Sequence, residues 1–340
     1  MQKFDPIGGT RPPDVPQPDP AQGEKKRLRR FANLFGAAGL VYFAVNLAGS
    51  FVFSFLLDLV YNITGTYLFG SSQNNYYVLN ILVYLTSFLA SFGTYALLLK
   101  MPLRVALPLR PVDGVNTLLS IPATFCFAVV GSMITSILAS LISITGFEPV
   151  NPEMPIPQTV TGYLLYFFLL VILPPVIEEI AFRGVLMQSL RRYGDGFALL
   201  VSAIMFGLFH LNLIQGPYAF LLGLWMGYLV LRTGSLRITM VLHGCINLSA
   251  GILTIVMDGA DEQTLMLINA IYIMFWLSVG AICLVTLLVR NRAAGLALHP
   301  ARTWLSGGQK LGTYFGSPVI LLLLAVIAFF MLQNFQRIGW

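Results

Sequence analysis

Charge is what this sequence has least of. Its 340 residues hold 20 Lys and Arg and 14 Asp and Glu, 10% of the chain, where a soluble domain carries roughly 25%. So few charges cannot cover a water-exposed surface. Cysteine is scarce as well: Cys126, Cys245 and Cys283 all lie in apolar stretches and read as small buried hydrophobes. No CxxC pair or Cys/His zinc spacing exists, which excludes a disulfide framework and a zinc finger. A secretory signal is not expected either, because about thirty mainly polar residues precede the first apolar run. The net charge of +6 does not indicate nucleic-acid binding. The basic residues sit in short runs between apolar segments, as they do beside membrane spans, and do not pair with aromatics in one patch.

What the sequence has in abundance is apolar length: 57% of residues are hydrophobic and the mean hydropathy is +0.79. A spanning helix needs about 20 largely apolar residues. Candidates lie at 33–60, 78–99, 116–143, 160–173 continuing into 174–190, 197–211, 216–231, 238–256, 265–289 and 317–334. The expected fold is an all-α polytopic transmembrane helix bundle of eight or nine spans embedded in the lipid bilayer. The two short segments joined at 213–215 suggest a tight hairpin. Residues 1–30 read as a disordered cytoplasmic tail: Pro6, Pro12, Pro13, Pro16, Pro18 and Pro20 leave little to bury, and the basic run Lys25, Lys26, Arg27, Arg29, Arg30 follows. Residues 31–159 form N-terminal membrane helices, 160–256 a central core and 257–340 C-terminal membrane helices.

Charge alternates from loop to loop. The basic run precedes the first span, 61–77 is uncharged, Lys100, Arg104 and Arg110 follow, and then Glu148 and Glu153. Arg191 and Arg192, then Arg232 and Arg237, then Asp258, Asp261 and Glu262, then Arg290, Arg292, Arg302 and Lys310 complete the series. Basic loops face the cytoplasm, so the amino terminus is expected there, in what is read as the plasma membrane.

Charged groups inside spans cost about 2.5–3.5 kcal/mol each on insertion scales and need a reason. Asp58 lies near a span end and can reach the interface. Glu178, Glu179 and Arg183 lie near mid-membrane, just after Pro174-Pro175, which should kink or break the span. Glu179 and Arg183 are four apart and can pair on one face, which leaves Glu178 without a local partner. His299 sits in a basic loop and reads as a surface residue. His210 closes the next segment, and His243 and Asn247 share a face of the segment 238–256. At about 1.5 Å per residue, Glu178 lies roughly 20 Å from Arg191, His210 roughly 20 Å from Phe197, and His243 and Asn247 about 9 and 15 Å from Arg237. These depths overlap, on three successive core helices.

Such a cluster suits hydrolysis. A carboxylate in a poorly hydrated site can take a proton from water, and His210 can hold that water. His243 and Asn247 can donate hydrogen bonds to a developing oxyanion. No serine or cysteine is placed beside them as an obvious nucleophile.

These stretches resemble the CAAX-protease and bacteriocin-processing (CPBP, or Abi) family of intramembrane endopeptidases. Its EExxxR motif is matched by Glu178-Glu179-Ile180-Ala181-Phe182-Arg183 followed by Gly184, its FxxxH motif by Phe206 and His210, and its HxxxN motif by His243 and Asn247. The resemblance covers about 160–255. It implies that Glu178 with His210 activates water, that His243 with Asn247 forms the oxyanion site, and that Glu179, Arg183 and Phe206 support them. It also implies a peptide or membrane-protein substrate. Metal-free glutamate catalysis is the preferred reading, with no cofactor. The alternative is a zinc ion held by Glu178, His210 and His243, although the HExxH spacing of soluble zinc proteases is absent. Two other classes remain open: a silent binding or immunity protein of the same fold, and a proton-coupled transporter, which also uses intramembrane Glu and His. Neither substrate identity nor oligomeric state is legible.

Overall fold

The computed structural model describes residues 19–150, 154–294 and 297–338. The proline-rich stretch 1–18 and Glu153 lie outside them. The chain is a helix bundle: α1 Pro20–Thr64, α2 Ser72–Leu98, α3 Gly114–Ser143, α4 Val160–Tyr193, α5 Asp195–Leu208, α6 Gly216–Thr233, α7 Leu236–Met257, α8 Glu262–Arg290, α9 Gly307–Phe315 and α10 Pro318–Gln333. The only named strands among the described residues are β1 Phe147–Pro149 and β2 Phe335–Arg337, which pair antiparallel.

Helix starts follow capping chemistry. The Asp19 carboxylate accepts from the Ala21 N–H, Pro20 takes the first position, and Gly65 ends α1 in the left-handed region at φ 71°. The basic run at 25–30 is therefore the first turns of α1, and no tail separates it from the first span. Lys, Arg, Ala and Leu favour helix once a cap and an N1 proline start one. Thr159 and Ser235 cap α4 and α7 in the same way.

Among the described residues, six helices are long and apolar enough to cross a bilayer, and α9 with α10, bent by 68°, make a seventh if taken as one span. This is fewer than the eight or nine expected, because α5 and α6 are not among them. With 14 residues, α5 reaches only about 21 Å, short of the roughly 30 Å hydrocarbon core. The two form a close hairpin at the bundle centre. Gly223 lies against Ala203 and Gly227 against Leu199, so the GxxxG on α6 serves packing within the chain. Large apolar side chains point outward elsewhere, as at Leu47 and Phe51 on α1 and Met274 and Ile282 on α8. That is the arrangement lipid favours.

Loop contacts sort into two ends. At the basic end, Trp304 N–H donates to Glu24, Lys310 Nζ to the Tyr193 carbonyl and Arg290 to Asp113. At the other end, Gln73 donates to the Ile156 carbonyl, Tyr77 to that of Pro155, and Asn334 to that of Leu211. All but the last of these bonds join segments that the charge alternation puts on one side. Because β2 pairs with β1, the end of α10 lies opposite the basic end, and α10 crosses the bundle.

Candidate active site

The site is built on a deformed helix. Pro174 has no N–H, so the Leu170 carbonyl one turn back loses its helical donor. Asn247 Nδ2 on α7 supplies it at 2.9 Å. Pro175 does the same to Val171, and Gly244 of α7 lies beside that carbonyl. The sequence suggested a kink or break here; α4 instead runs through, with π-helical turns at Phe168–Ile172 and Glu179–Leu186 that absorb the distortion. Freed carbonyls find side-chain donors: Ser202 reaches Phe182 at 2.9 Å, and Gln188 reaches Arg183 at 3.1 Å. Gly184 lies directly against the Ala106 carbonyl, so no side chain fits there.

Glu179 and Arg183 are wholly buried and paired, with Nη1 to Oε1 at 2.8 Å. The guanidinium also lies 3.9 Å from the centre of the Phe206 ring, which offsets part of its desolvation. His243 joins the pair through Nδ1, 3.2 Å from Glu179 Oε1. A carboxylate only accepts, so this network assigns the Nδ1 hydrogen to His243. Neutral His243 then offers Nε2 as an acceptor, and only the imidazolium donates from Nε2. That atom lies 3.9 Å from Glu178 Oε2.

Glu178 faces the other way. Its Oε1 accepts from the Tyr84 hydroxyl at 2.6 Å, and its Oε2 is buried with no hydrogen-bond partner among the described residues. The carboxylate opens onto a cavity of about 80 Å³ lined by Tyr42, Tyr84, Phe88, Phe182, Phe206, Phe209 and His210, room for a few waters. His210 Nδ1 is 2.8 Å from the Phe206 carbonyl, which leaves Nε2 as the acceptor. Asn212 fixes the turn that carries His210, donating to the His210 carbonyl at 3.0 Å and accepting from Gln215 N–H at 2.7 Å.

Glu178, Glu179, Arg183, Phe206, His210 and His243 thus form one connected group. Asn247 lies one helical turn from His243 with one amide hydrogen bonded to Leu170. Tyr84 and Asn212 are not among the residues that motif and spacing single out. For Tyr84 a signal exists: Tyr77, Tyr84 and Ser91 recur at seven-residue intervals, a polar stripe inside an apolar helix. As for a metal, no three His, Cys, Asp or Glu side chains among the described residues are placed to share an ion.

A helical bundle crossing the bilayer several times, with a carboxylate–histidine group buried between its central helices, defines a multi-pass integral membrane protein with a polar core. Residues 160–249 match the family model described as type II CAAX prenyl endopeptidase Rce1-like. This segment, α4 through most of α7, is thus similar to that family, the group its three motifs also resemble. No curated protein and no solved structure matches the chain.

Proposed function

We propose that the protein is an intramembrane endopeptidase in which Glu178 and His210 activate a water held in the aromatic-lined cavity. The observation that carries this reading is the cavity itself: a buried carboxylate with one unpartnered oxygen shares it with an imidazole acceptor. Water gives a proton to the Glu178 carboxylate, and its oxygen bonds to the substrate carbonyl carbon. The carbonyl π pair moves to oxygen, and His243, as imidazolium, and the second amide hydrogen of Asn247 donate to that oxyanion. Collapse breaks the C–N bond, and the proton on Glu178 passes to the leaving nitrogen. Glu179 fixes the His243 ring, and Arg183, stacked on Phe206, holds Glu179. No step needs a resident metal or cofactor.

The substrate is a peptide segment reached within the bilayer, and the family description makes a prenylated CAAX peptide the first probe. The basic end of the bundle is assigned to the cytoplasmic side of the plasma membrane. The test is cleavage of a farnesylated CAAX peptide by purified wild type and Glu178→Gln, read by mass spectrometry. It is run beside a comparison of peptides in membranes carrying each protein. Cutting by wild type alone, in either arm, is the expected result. Equal products from both proteins would overturn the reading.

A further inference from the structure

Two atoms of one carboxylate have different surroundings here. Glu178 Oε1 receives the Tyr84 hydroxyl at 2.6 Å, whereas Oε2 is buried, unpartnered among the described residues, and 3.9 Å from His243 Nε2. Tyr84 comes from a different helix, α2, so this bond is not a consequence of the local geometry of α4. The Tyr84 ring is itself held, 4.6 Å from the ring of Phe88. A glutamate side chain has three rotatable bonds, and a single short bond to one oxygen removes most of that freedom.

We propose that Tyr84 is a positioning residue for Glu178: its hydroxyl fixes Oε1, so that Oε2 is the oxygen that takes the proton from water. The inference rests on the hydrolytic reading above. Tyr84 undergoes no chemistry; it keeps one carboxylate oxygen occupied and the other turned to the reaction. The same bond explains why an apolar helix carries a half-buried tyrosine at this depth, where tyrosine is otherwise an interfacial residue.

Infrared difference spectra of wild type against Glu178→Gln isolate the carboxylate band of Glu178 without any substrate. In Tyr84→Phe that band should shift, because the hydrogen bond to Oε1 is gone. With the farnesylated CAAX peptide, kcat should fall about 10–100-fold, the range for a hydrogen bond to a charged group, with KM changed by no more than about twofold. Glu178→Asp withdraws the carboxylate from the hydroxyl, and in that background Tyr84→Phe should change kcat by less than about twofold. Tyr77→Phe is the control: its hydroxyl bonds the Pro155 carbonyl at 2.5 Å on the same face of α2, and its kcat should stay at the wild-type value. An unmoved band, a wild-type kcat in Tyr84→Phe, or an equal loss in the Glu178→Asp background would each overturn the inference. If Glu178→Gln is inactive and Tyr84→Phe unimpaired, the inference alone falls. If Glu178→Gln cuts as well as wild type, the hydrolytic reading falls with it.

Discussion

Glu178 and Glu179 are adjacent in the chain and lie in two different regions of the molecule. Around Glu179 the protein is closed: a guanidinium and an imidazole meet one oxygen at full burial, and an aromatic face covers the guanidinium. Around Glu178 it is open by a small cavity, and the hydroxyl that donates to the carboxylate belongs to a tyrosine from another helix. The first region is a charge cage that holds its members still. The second keeps a base within reach of water. Within one helix, α4, a change of side separates structural charge from chemical charge.

The largest effect that can break this comparison is on turnover. Glu178→Gln keeps size and shape but removes the base, and kcat should fall about 10²–10⁴-fold, the contribution of a positioned general base. Its melting temperature in detergent should remain near that of wild type, since no buried cation depends on Glu178 alone. A Glu178→Gln protein that melts early and still cuts would reverse the two roles.

Next in size is the cage. Glu179→Gln leaves Arg183 buried without its anion, a change that typically destabilises by about 3–5 kcal/mol. Yield and Tm should drop before any catalytic effect is read. Glu179→Gln combined with Arg183→Met should recover part of the loss, because no unpaired charge remains. If the double variant is less stable than Glu179→Gln, the guanidinium contributes more through Phe206 than through the ion pair.

Much of this site is legible in the sequence, and the illegible parts have definite causes. EExxxR, FxxxH and HxxxN each name residues on one helix, and depth arithmetic at about 1.5 Å per residue is enough to bring Glu178, His210 and His243 together. That arithmetic says nothing of partners from elsewhere, which is why Tyr84, 94 residues from Glu178, escapes it. Periodicity also assumes an ordinary helix after the prolines, whereas π-helical turns absorb them. The helical basic run is hidden by the prolines before it, although Asp19 and Pro20 are a helix start signal in themselves. The span count is approximate in both readings: composition suggests eight or nine, and helix length and apolarity give six or seven among the described residues, where α5 at 14 residues is short.

A smaller effect tests the part of the site that is both structural and chemical. Asn247 donates to the carbonyl that Pro174 strands, and it is also a proposed oxyanion donor. Asn247→Leu should destabilise by about 1–3 kcal/mol, the cost of an unsatisfied buried carbonyl. Pro174→Ala restores a backbone N–H for Leu170 and should return that stability. If cleavage returns as well, Asn247 is a helix partner only. If Tm recovers while kcat stays low, it serves both functions.

The smallest effect lies far from the membrane centre and calibrates the rest. At the basic end Asp113 caps α3 and meets Arg290 at the end of α8, 3.0 Å away. The Asn116 backbone N–H, with help from the Arg290 guanidinium, holds the Asp113 carboxyl below its ordinary value. A lowered native value means that the unfolded chain binds the proton more tightly. The stabilisation is therefore present above the unfolded value of about 3.9 and is lost as pH falls through the lower native one. Comparing Tm of wild type and Asp113→Asn across this range should show a small advantage for wild type near neutral pH that vanishes at the acid end. Added salt should shrink the ion-pair part, because both groups are exposed, and leave the capping part in place. Against the Glu179–Arg183 pair the contrast is one of solvent: two ion pairs of similar length, 2.8 and 3.0 Å, should differ several-fold in effect on removal of the acid. If Asp113→Asn lowers Tm as far as Glu179→Gln, burial is not what gives the inner pair its weight, and the contrast between cage and base would have to rest on chemistry alone.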